Sequence, residues 1–323
     1  MPRSRRFLRA LSWLHVLVLG VLWLAENRIG ERWWLTTLLA YAPQLPAAIP
    51  VLLLLPVALL ARDRVSVLLN AGGGALALIL MGWHAGLPAA NPAGRPVLRV
   101  MTWNVFSARL GADRVASQIL RQSPQILCLQ EFGPYELSRL QPLLPGYVFT
   151  AAGDTTIAVK GRILERRVLP YPSSIQTSRL LLLTRVSIDG HELTVINTHL
   201  ATAVHGSNLR QRGVRRHMAN TSEARAIQVQ SLLATAADIS GPLIVCGDFN
   251  TPPRGRLYGA LTERFTDAFA AVGRGLGHTY SATKPLLRID YVFTAGGADP
   301  VSAASPALAG SDHLPVVAQI ALP

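Results

Sequence analysis

The chain has 323 residues, half of them hydrophobic, and a formal net charge of +13. Only Lys160 and Lys284 among the 31 basic residues are lysine, and arginine suits phosphate oxygens or an anionic membrane surface without choosing between them. The two cysteines, Cys128 and Cys246, have no metal-type Cys or His spacing around them, which argues against zinc. Each lies in an apolar run and reads as a buried thiol, with a disulfide between them left open.

Residues 1–90 hold 8 basic and 3 acidic residues in a strongly apolar background. Three apolar segments stand out there. Phe7–Ala25 follows Arg3, Arg5 and Arg6 and contains Arg9; Leu35–Ala61 contains Pro43, Pro46, Pro50 and Pro56; Val65–Leu87 is broken by Gly72-Gly73-Gly74. Each is long enough to cross a bilayer as a helix. A cleaved leader is the alternative for the first, but two more spans follow it. The prolines make the second span the least regular, compatible with a kinked or re-entrant form. The amino-terminal arginines and Arg62-Asp63-Arg64 predict cytoplasmic flanks. Three crossings then place everything after about residue 90 outside the cytoplasm, in a multi-pass cell-membrane protein. His84 is assigned to the membrane interface. The spans show no paired charges, which disfavours a transport pathway. The expected division is a membrane region at 1–90, a linker at 91–96 and a globular domain at 97–323.

Beyond the linker, short apolar runs end repeatedly in polar residues. "VLRVMTWNVF" leads to Asn104, "QILCLQEF" to Glu131 and "LTVINTHL" to His199. "LIVCGDFNTPP" carries Asp248 and Asn250, "RIDYVF" carries Asp290, and "SDHLPVVAQI" opens with Asp312 and His313. Helical patterns over Asp113–Gln122 and Ser222–Asp238 interleave with these strands. The expected fold is α/β, two packed sheets with helices outside. Asp248 and Asn250, two apart on a strand, share a face, yet Asp and Asn also close strands as plain turn residues. Four carboxylates at one rim (Glu131, Asp248, Asp290 and Asp312) would repel one another strongly without a cation. Mg²⁺ prefers such oxygens and keeps room for substrate, leaving the two histidines for phosphate.

The series WN, QE, NTHL, GDFN, RIDYVF, SDHLP, in this order, resembles the endonuclease/exonuclease/phosphatase superfamily of metal-dependent phosphoesterases. The similarity covers about residues 97–321 and implies a four-layered α/β sandwich. It implies that Glu131 binds Mg²⁺ (Mn²⁺ as the alternative), with Asn104 beside it and Asp312 completing or supporting the shell. Asp248 would position and deprotonate the attacking water, and Asn250 would hold that water or the phosphate. His199 and His313 would bind the phosphate, with Asp290 orienting His313. His199 resembles the pancreatic-type deoxyribonucleases and sphingomyelinases more than abasic-site endonucleases. On a strand, neighbouring Asp312 and His313 would face opposite ways, so a turn at Ser311 is required.

The reading is a membrane-anchored, Mg²⁺-dependent phosphoester hydrolase, with membrane lipids as partners. Its substrate is a phosphodiester in a lipid headgroup or in nucleic acid. The alternatives are a binding module on an inactive hydrolase scaffold and a transport protein with an accessory domain. The basic run from His205 to His217 is a second substrate-contact candidate, equally readable as a solvated loop near anionic lipid. Arg225 and Gln228 are read as structural support, and His278 as a loop residue.

Overall fold

The computed structural model describes residues 3–89, 94–172, 179–202 and 213–323. The first three residues of the linker at 91–96 and the run 205–212 lie outside the described residues. The chain forms two compact units. One ends at Trp83 and takes in Pro253–Arg256; the other comprises His84–Pro252 and Leu257–Pro323.

The first unit is helical. Helix α1 (Arg3–Leu24) runs on through a π turn, Ala25–Ile29, and a 3-10 turn, Gly30–Arg32. Helices α2 (Trp34–Tyr41) and α3 (Ile49–Leu60) follow, then α4 (Arg64–Met81). Arg3–Arg32 and Arg64–Met81 are long and apolar enough to cross a membrane, and the stretch between them is a broken pair bent by 77°. The break falls between Tyr41 and Leu45, where Pro43 and Pro46 interrupt the backbone ladder. The third apolar segment ends at Met81, earlier than its composition predicts, because Gly82 adopts a left-handed cap (φ +71°). His84 correspondingly falls in the second unit, its ring edge-on to Phe269 at 6.0 Å. Two polar links, unseen in the sequence, tie α1 to α4 and the turn before it. Arg9 grips both oxygens of Asp63 at 2.6–3.1 Å, and Asn70 donates to Ser12 Oγ at 2.9 Å. Leu52, Leu53, Leu60 and Leu68 point outward.

The second unit holds two six-stranded mixed sheets. The first contains β1 (Val97–Asn104), β2 (Ile126–Gln130), β3 (Val148–Ala152) and β4 (Thr155–Val159). The second contains β5 (Arg162–Pro170), β6 (Leu180–Ile188), β7 (His191–His199) and β8 (Leu243–Asp248). Strand β9 (Asp290–Ala295) joins the second sheet; β10 (Asp299–Ala304) and β11 (Val316–Ala321) return to the first. The first sheet has the order β10-β11-β1-β2-β4-β3. The second starts from the two-residue strand Thr266–Asp267 and continues β9-β8-β7-β6-β5.

Period-two alternation explains the layers. In β1, Leu98 and Val100 face the other sheet, and Met101 and Trp103 face helices. The sheets meet over Val100, Cys128, Ile157, Val195, Cys246 and Val292. Helices α5 (Ala112–Gln122) and α6 (Pro134–Leu140) cover the first sheet through Val115, Ile119 and Leu140. Helices α7 (Val214–Ala237) and α8 (Gly255–Arg264) cover the second through Val229, Leu232 and Leu261. The result is a four-layered α/β sandwich. Both cysteines are buried free thiols between the sheets.

Candidate active site

The site forms where the carboxyl ends of β1, β2, β7 and β8 meet the start of β9. The two parallel pairings, β1 with β2 and β7 with β8, bring strand ends to the same edge. Asn104 stands opposite Gln130, and His199 opposite Asp248. The antiparallel pairing of β8 with β9 sets Asp290 opposite Asp248. Three of the chemical groups, His199, Asp248 and Asp290, therefore share one rung across adjacent strands of one sheet.

Close approach at this edge excludes a side chain before Asp248. A Cβ on Gly247 would fall 2.0 Å from the carbonyl oxygen of Thr198. Glu131, directly after its strand end, and Asn250, two residues past its own, both take left-handed backbone (φ +51° and +46°). Asn tolerates that conformation and Glu does not, so strain is held at a position that presents a carboxylate.

Distances converge on one atom. Oδ2 of Asp248 lies 3.1 Å from Asn104 Nδ2, 3.5 Å from His199 Nε2 and 3.9 Å from His313 Nε2. The Asn104 amide also donates to Glu131 Oε1 at 3.3 Å, so it links the two carboxylates. The other Asp248 oxygen accepts from the backbone N–H of Asn250 at 2.9 Å. The Asn250 side chain donates to Leu200 O at 3.1 Å.

Each imidazole is oriented by a carboxylate on its far nitrogen. His313 Nδ1 lies 2.9 Å from Asp290 Oδ2, and His199 Nδ1 lies 2.7 Å from Asp154 Oδ2. A Nδ1–H donated to each acid turns Nε2 toward Asp248. Burial works against charge on His313, but Asp290, then Asp248 and Asp312, outweigh it and push its pKa up to about 10. Burial also works against charge on Asp154, yet the bond and charge of His199, with Arg179 nearby, hold it below the usual carboxylate range.

Asp312 and His313 precede β11 and lie off the strand, in a turn beginning at Gly310 (φ +139°). Ser311 Oγ donates to Asn104 O at 2.6 Å and accepts from His313 N at 3.2 Å. The indole of Trp103 donates to His313 O at 2.9 Å. The WN and SDH motifs thus brace one another. Asp312 stands at the edge, half-buried, its Oδ1 accepting from Ser311 Oγ at 3.2 Å.

Three supporting groups complete the site. Gln130 donates to Asn197 Oδ1 at 2.7 Å, clasping the two sheets beneath it. Arg225 donates to Ala201 O at 3.0 Å and Gln228 accepts from Ala201 N at 2.8 Å, which pins the chain just past His199. The ring of Tyr280 lies 4.8 Å from that of His313, tilted by 49°. Burial, then the charges of Asp312, Asp248 and Glu131, push the phenol pKa upward. His278 instead faces its own loop, its Nδ1 2.8 Å from Pro285 O.

Sequence reasoning missed Asp154 and Tyr280. Asp154 sits in the Gly153-Asp154 turn between β3 and β4, where an acid reads as a turn former. The available signal was indirect: two phosphate-facing histidines each need an orienting acid, and only Asp290 had been assigned.

The donor set suits a hard divalent cation. Asp248 and Asp290 offer carboxylate oxygens that lie, with a ring nitrogen of His313, within 4.8 Å of one another. Among the described residues Asp290 Oδ1 is buried with no hydrogen-bond partner, and Glu131 and Asp312 add further oxygens at the same edge. So many carboxylates in one place favour an oxygen-preferring ion.

A search of curated protein sequences finds no match. Solved structures do match. An endonuclease/exonuclease/phosphatase from Bacteroides vulgatus superposes with a TM-score of 0.58 at 20% identity, covering 71% of this chain and 100% of that one. A mannosyl-6-phosphatase from Bacteroides thetaiotaomicron gives 0.58 at 17% identity, over 70% and 100%. The TDP2 of D. rerio, complexed with single strand DNA product, gives 0.55 at 19% identity, over 69% and 98%. These likenesses concern the fold. The family model described as Endonuclease/Exonuclease/phosphatase family matches residues 101–313, from β1 to His313. The chain belongs to the endonuclease/exonuclease/phosphatase family, whose members depend on divalent metals, and is a hydrolase of phosphoester bonds.

Proposed function

We propose that this protein is a membrane-anchored, Mg²⁺-dependent phosphodiesterase whose catalytic unit works outside the cytoplasm. The observation that carries the reading is the convergence of Asn104, His199 and His313 on Asp248 Oδ2, with an acid behind each imidazole. That arrangement surrounds a proton acceptor with donors aimed at one small volume, as attack of water on a phosphorus centre requires.

Glu131, with Asn104 beside it and Asp312 completing or supporting the shell, would hold the cation. Mg²⁺ is the first candidate and Mn²⁺ the second. Once bound, it neutralises charge on the phosphate oxygens and so lowers the barrier. Asp248 takes the proton from the attacking water, and the backbone N–H of Asn250 fixes the orientation of that carboxylate. The Asn250 amide holds the water or the phosphate. His199 and His313 present Nε2–H to phosphate oxygens. Asp290 keeps His313 charged and oriented, and Asp154 orients His199. A phosphodiester in nucleic acid or in a lipid headgroup fits this set. The neighbours support phosphoester chemistry in general, since one is a mannosyl-6-phosphatase and another carries a DNA product.

The anchor rests on composition. Apolar side chains point outward from α3 and α4, and membrane lipids would cover them. The arginine-rich amino terminus stays cytoplasmic, and three crossings carry the catalytic unit to the other side.

The test is a substrate screen of the purified full chain in detergent with Mg²⁺, against DNA, RNA, phospholipids and simple phosphodiesters. Hydrolysis abolished by a chelator is expected with at least one of them. No metal-dependent hydrolysis of any would sink the reading in favour of the inactive binding module.

A further inference from the structure

Most large apolar side chains exposed on the second unit lie away from the chemistry. Tyr280 does not. It is 37% exposed, and its ring contacts the imidazole of His313. Its backbone is held from two sides, through bridges to Leu287 and to His313. The N–H of Tyr280 donates to Leu287 O at 2.9 Å, and the N–H of Leu287 returns the bond at the same distance. An aromatic ring on a backbone-braced hairpin therefore stands beside His313, with Leu286 exposed on the same hairpin. One side of the ring packs against His313, and the rest is left open. The hairpin's own bonds are backbone bonds that any residue would make.

We propose that Tyr280 is a specificity-determining residue, whose open ring packs against a flat, ring-bearing group attached to the scissile phosphate. The inference rests on the phosphodiesterase reading above and narrows its substrate toward phosphoesters carrying a nucleobase or similar ring. Tyrosine suits the task because it supplies a broad planar contact with few rotatable bonds to order. A base stacked on an aromatic side chain is worth about ten- to a hundredfold in binding. An acyl chain needs apolar area but no plane, so leucine would serve it equally well.

The experiment compares two esters with the same leaving group, thymidine 5′-(p-nitrophenyl phosphate) and methyl p-nitrophenyl phosphate. Full-length protein in detergent with Mg²⁺ is used throughout. The wild type should favour the nucleoside ester, through KM. Tyr280→Phe should keep that preference. Tyr280→Leu and Tyr280→Ala should lose about ten- to a hundredfold of it, read as the ratio of kcat/KM on the two esters. A preference retained in Tyr280→Ala overturns the proposal, as does an equal loss on both esters. A preference retained in Tyr280→Leu also overturns it and points to an acyl chain. If the wild type hydrolyses neither ester, the phosphodiesterase reading is what fails, and binding then tests the inference by itself. Equilibrium dialysis should show thymidine 5′-monophosphate binding the wild type more tightly than Tyr280→Ala, with inorganic phosphate binding both alike. Equal thymidine 5′-monophosphate binding by the two proteins would overturn it.

Discussion

Asp154 and His199 meet side chain to side chain, Oδ2 to Nδ1 at 2.7 Å, across 45 residues of sequence. The acid comes from a hairpin turn of one sheet and the imidazole from a strand end of the other, so the contact spans the sandwich. Asp154→Asn keeps the shape and removes the anchoring charge. The amide would favour the wrong tautomer of His199, and kcat should fall by about a hundredfold or more, with the protein still folded but melting somewhat lower at neutral pH. The acid limb of stability is a second measurement. The folded pKa of Asp154 is depressed, so the pair's contribution is complete above the ordinary carboxylate value, about pH 4, and is lost as pH falls through the lower folded value. The variant should melt with a flatter acid dependence than the wild type. Wild-type kinetics in Asp154→Asn would leave His199 without need of its acid.

A turn-forming role and a catalytic role for Asp248 separate cleanly. Asn serves a turn as well as Asp does, so Asp248→Asn tests the chemistry alone. Loss of a general base lowers rates by about 10²–10⁴-fold, and substrate affinity should change little. Near-wild-type turnover on a confirmed substrate would place the base elsewhere.

Glu131 is tied to Asp248 through the Asn104 amide, which engages one oxygen of its carboxylate. Glu131→Gln should fold normally and lose about a hundredfold in Mg²⁺-dependent turnover. Isothermal titration with Mg²⁺ should show weakened binding in the same variant. Unaltered metal affinity would remove Glu131 from the shell.

A buried ion pair lies just behind the site. Arg288, two residues before Asp290, donates to Asp267 Oδ2 at 2.6 Å and packs on the ring of Tyr291 at 4.8 Å. Both side chains are almost wholly buried, so removing one partner strands the other. Arg288→Met should cost about 3–5 kcal/mol, read as a lowered Tm. A thermal midpoint within a degree of wild type would show that water or another residue replaces the guanidinium.

Topology is tested by a reporter fused after Pro323. Activity is expected only from reporters that work outside the cytoplasm. A cytoplasmic signal at ordinary expression would mean that the bent pair Trp34–Tyr41 and Leu45–Leu60 turns back without crossing.

The fold was legible because its strands announce themselves twice, as apolar runs and as polar strand ends. Leu243–Asp248 alternates inward and outward as its pattern demands, and its last residue lies at the edge where the polar end predicts. The site was legible wherever a functional group ends such a run. Asp154 escaped because nothing local separates a turn acid from an anchoring acid, and the partner that does so lies in the other sheet. Tyr280 escaped because its meaning depends on exposure, which period and composition do not encode. Span three was overextended because its apolar composition continues to Leu87, although the helix stops at a left-handed glycine.

The rung shared by His199, Asp248 and Asp290 bears on misfolding as well as on catalysis. Phe249, the residue after Asp248, packs against Tyr291 at 5.5 Å and Phe293 at 5.1 Å on the helix-covered face. A one-residue slip of β8 would swing Phe249 toward water and drive the Asp248 carboxylate into that aromatic cluster. A charge stranded there is far costlier than the repulsion it suffers in place. The same acids that strain the native edge therefore penalise its nearest mispairings more heavily. Replacing them with neutral residues would stabilise the wrong ladders along with the right one.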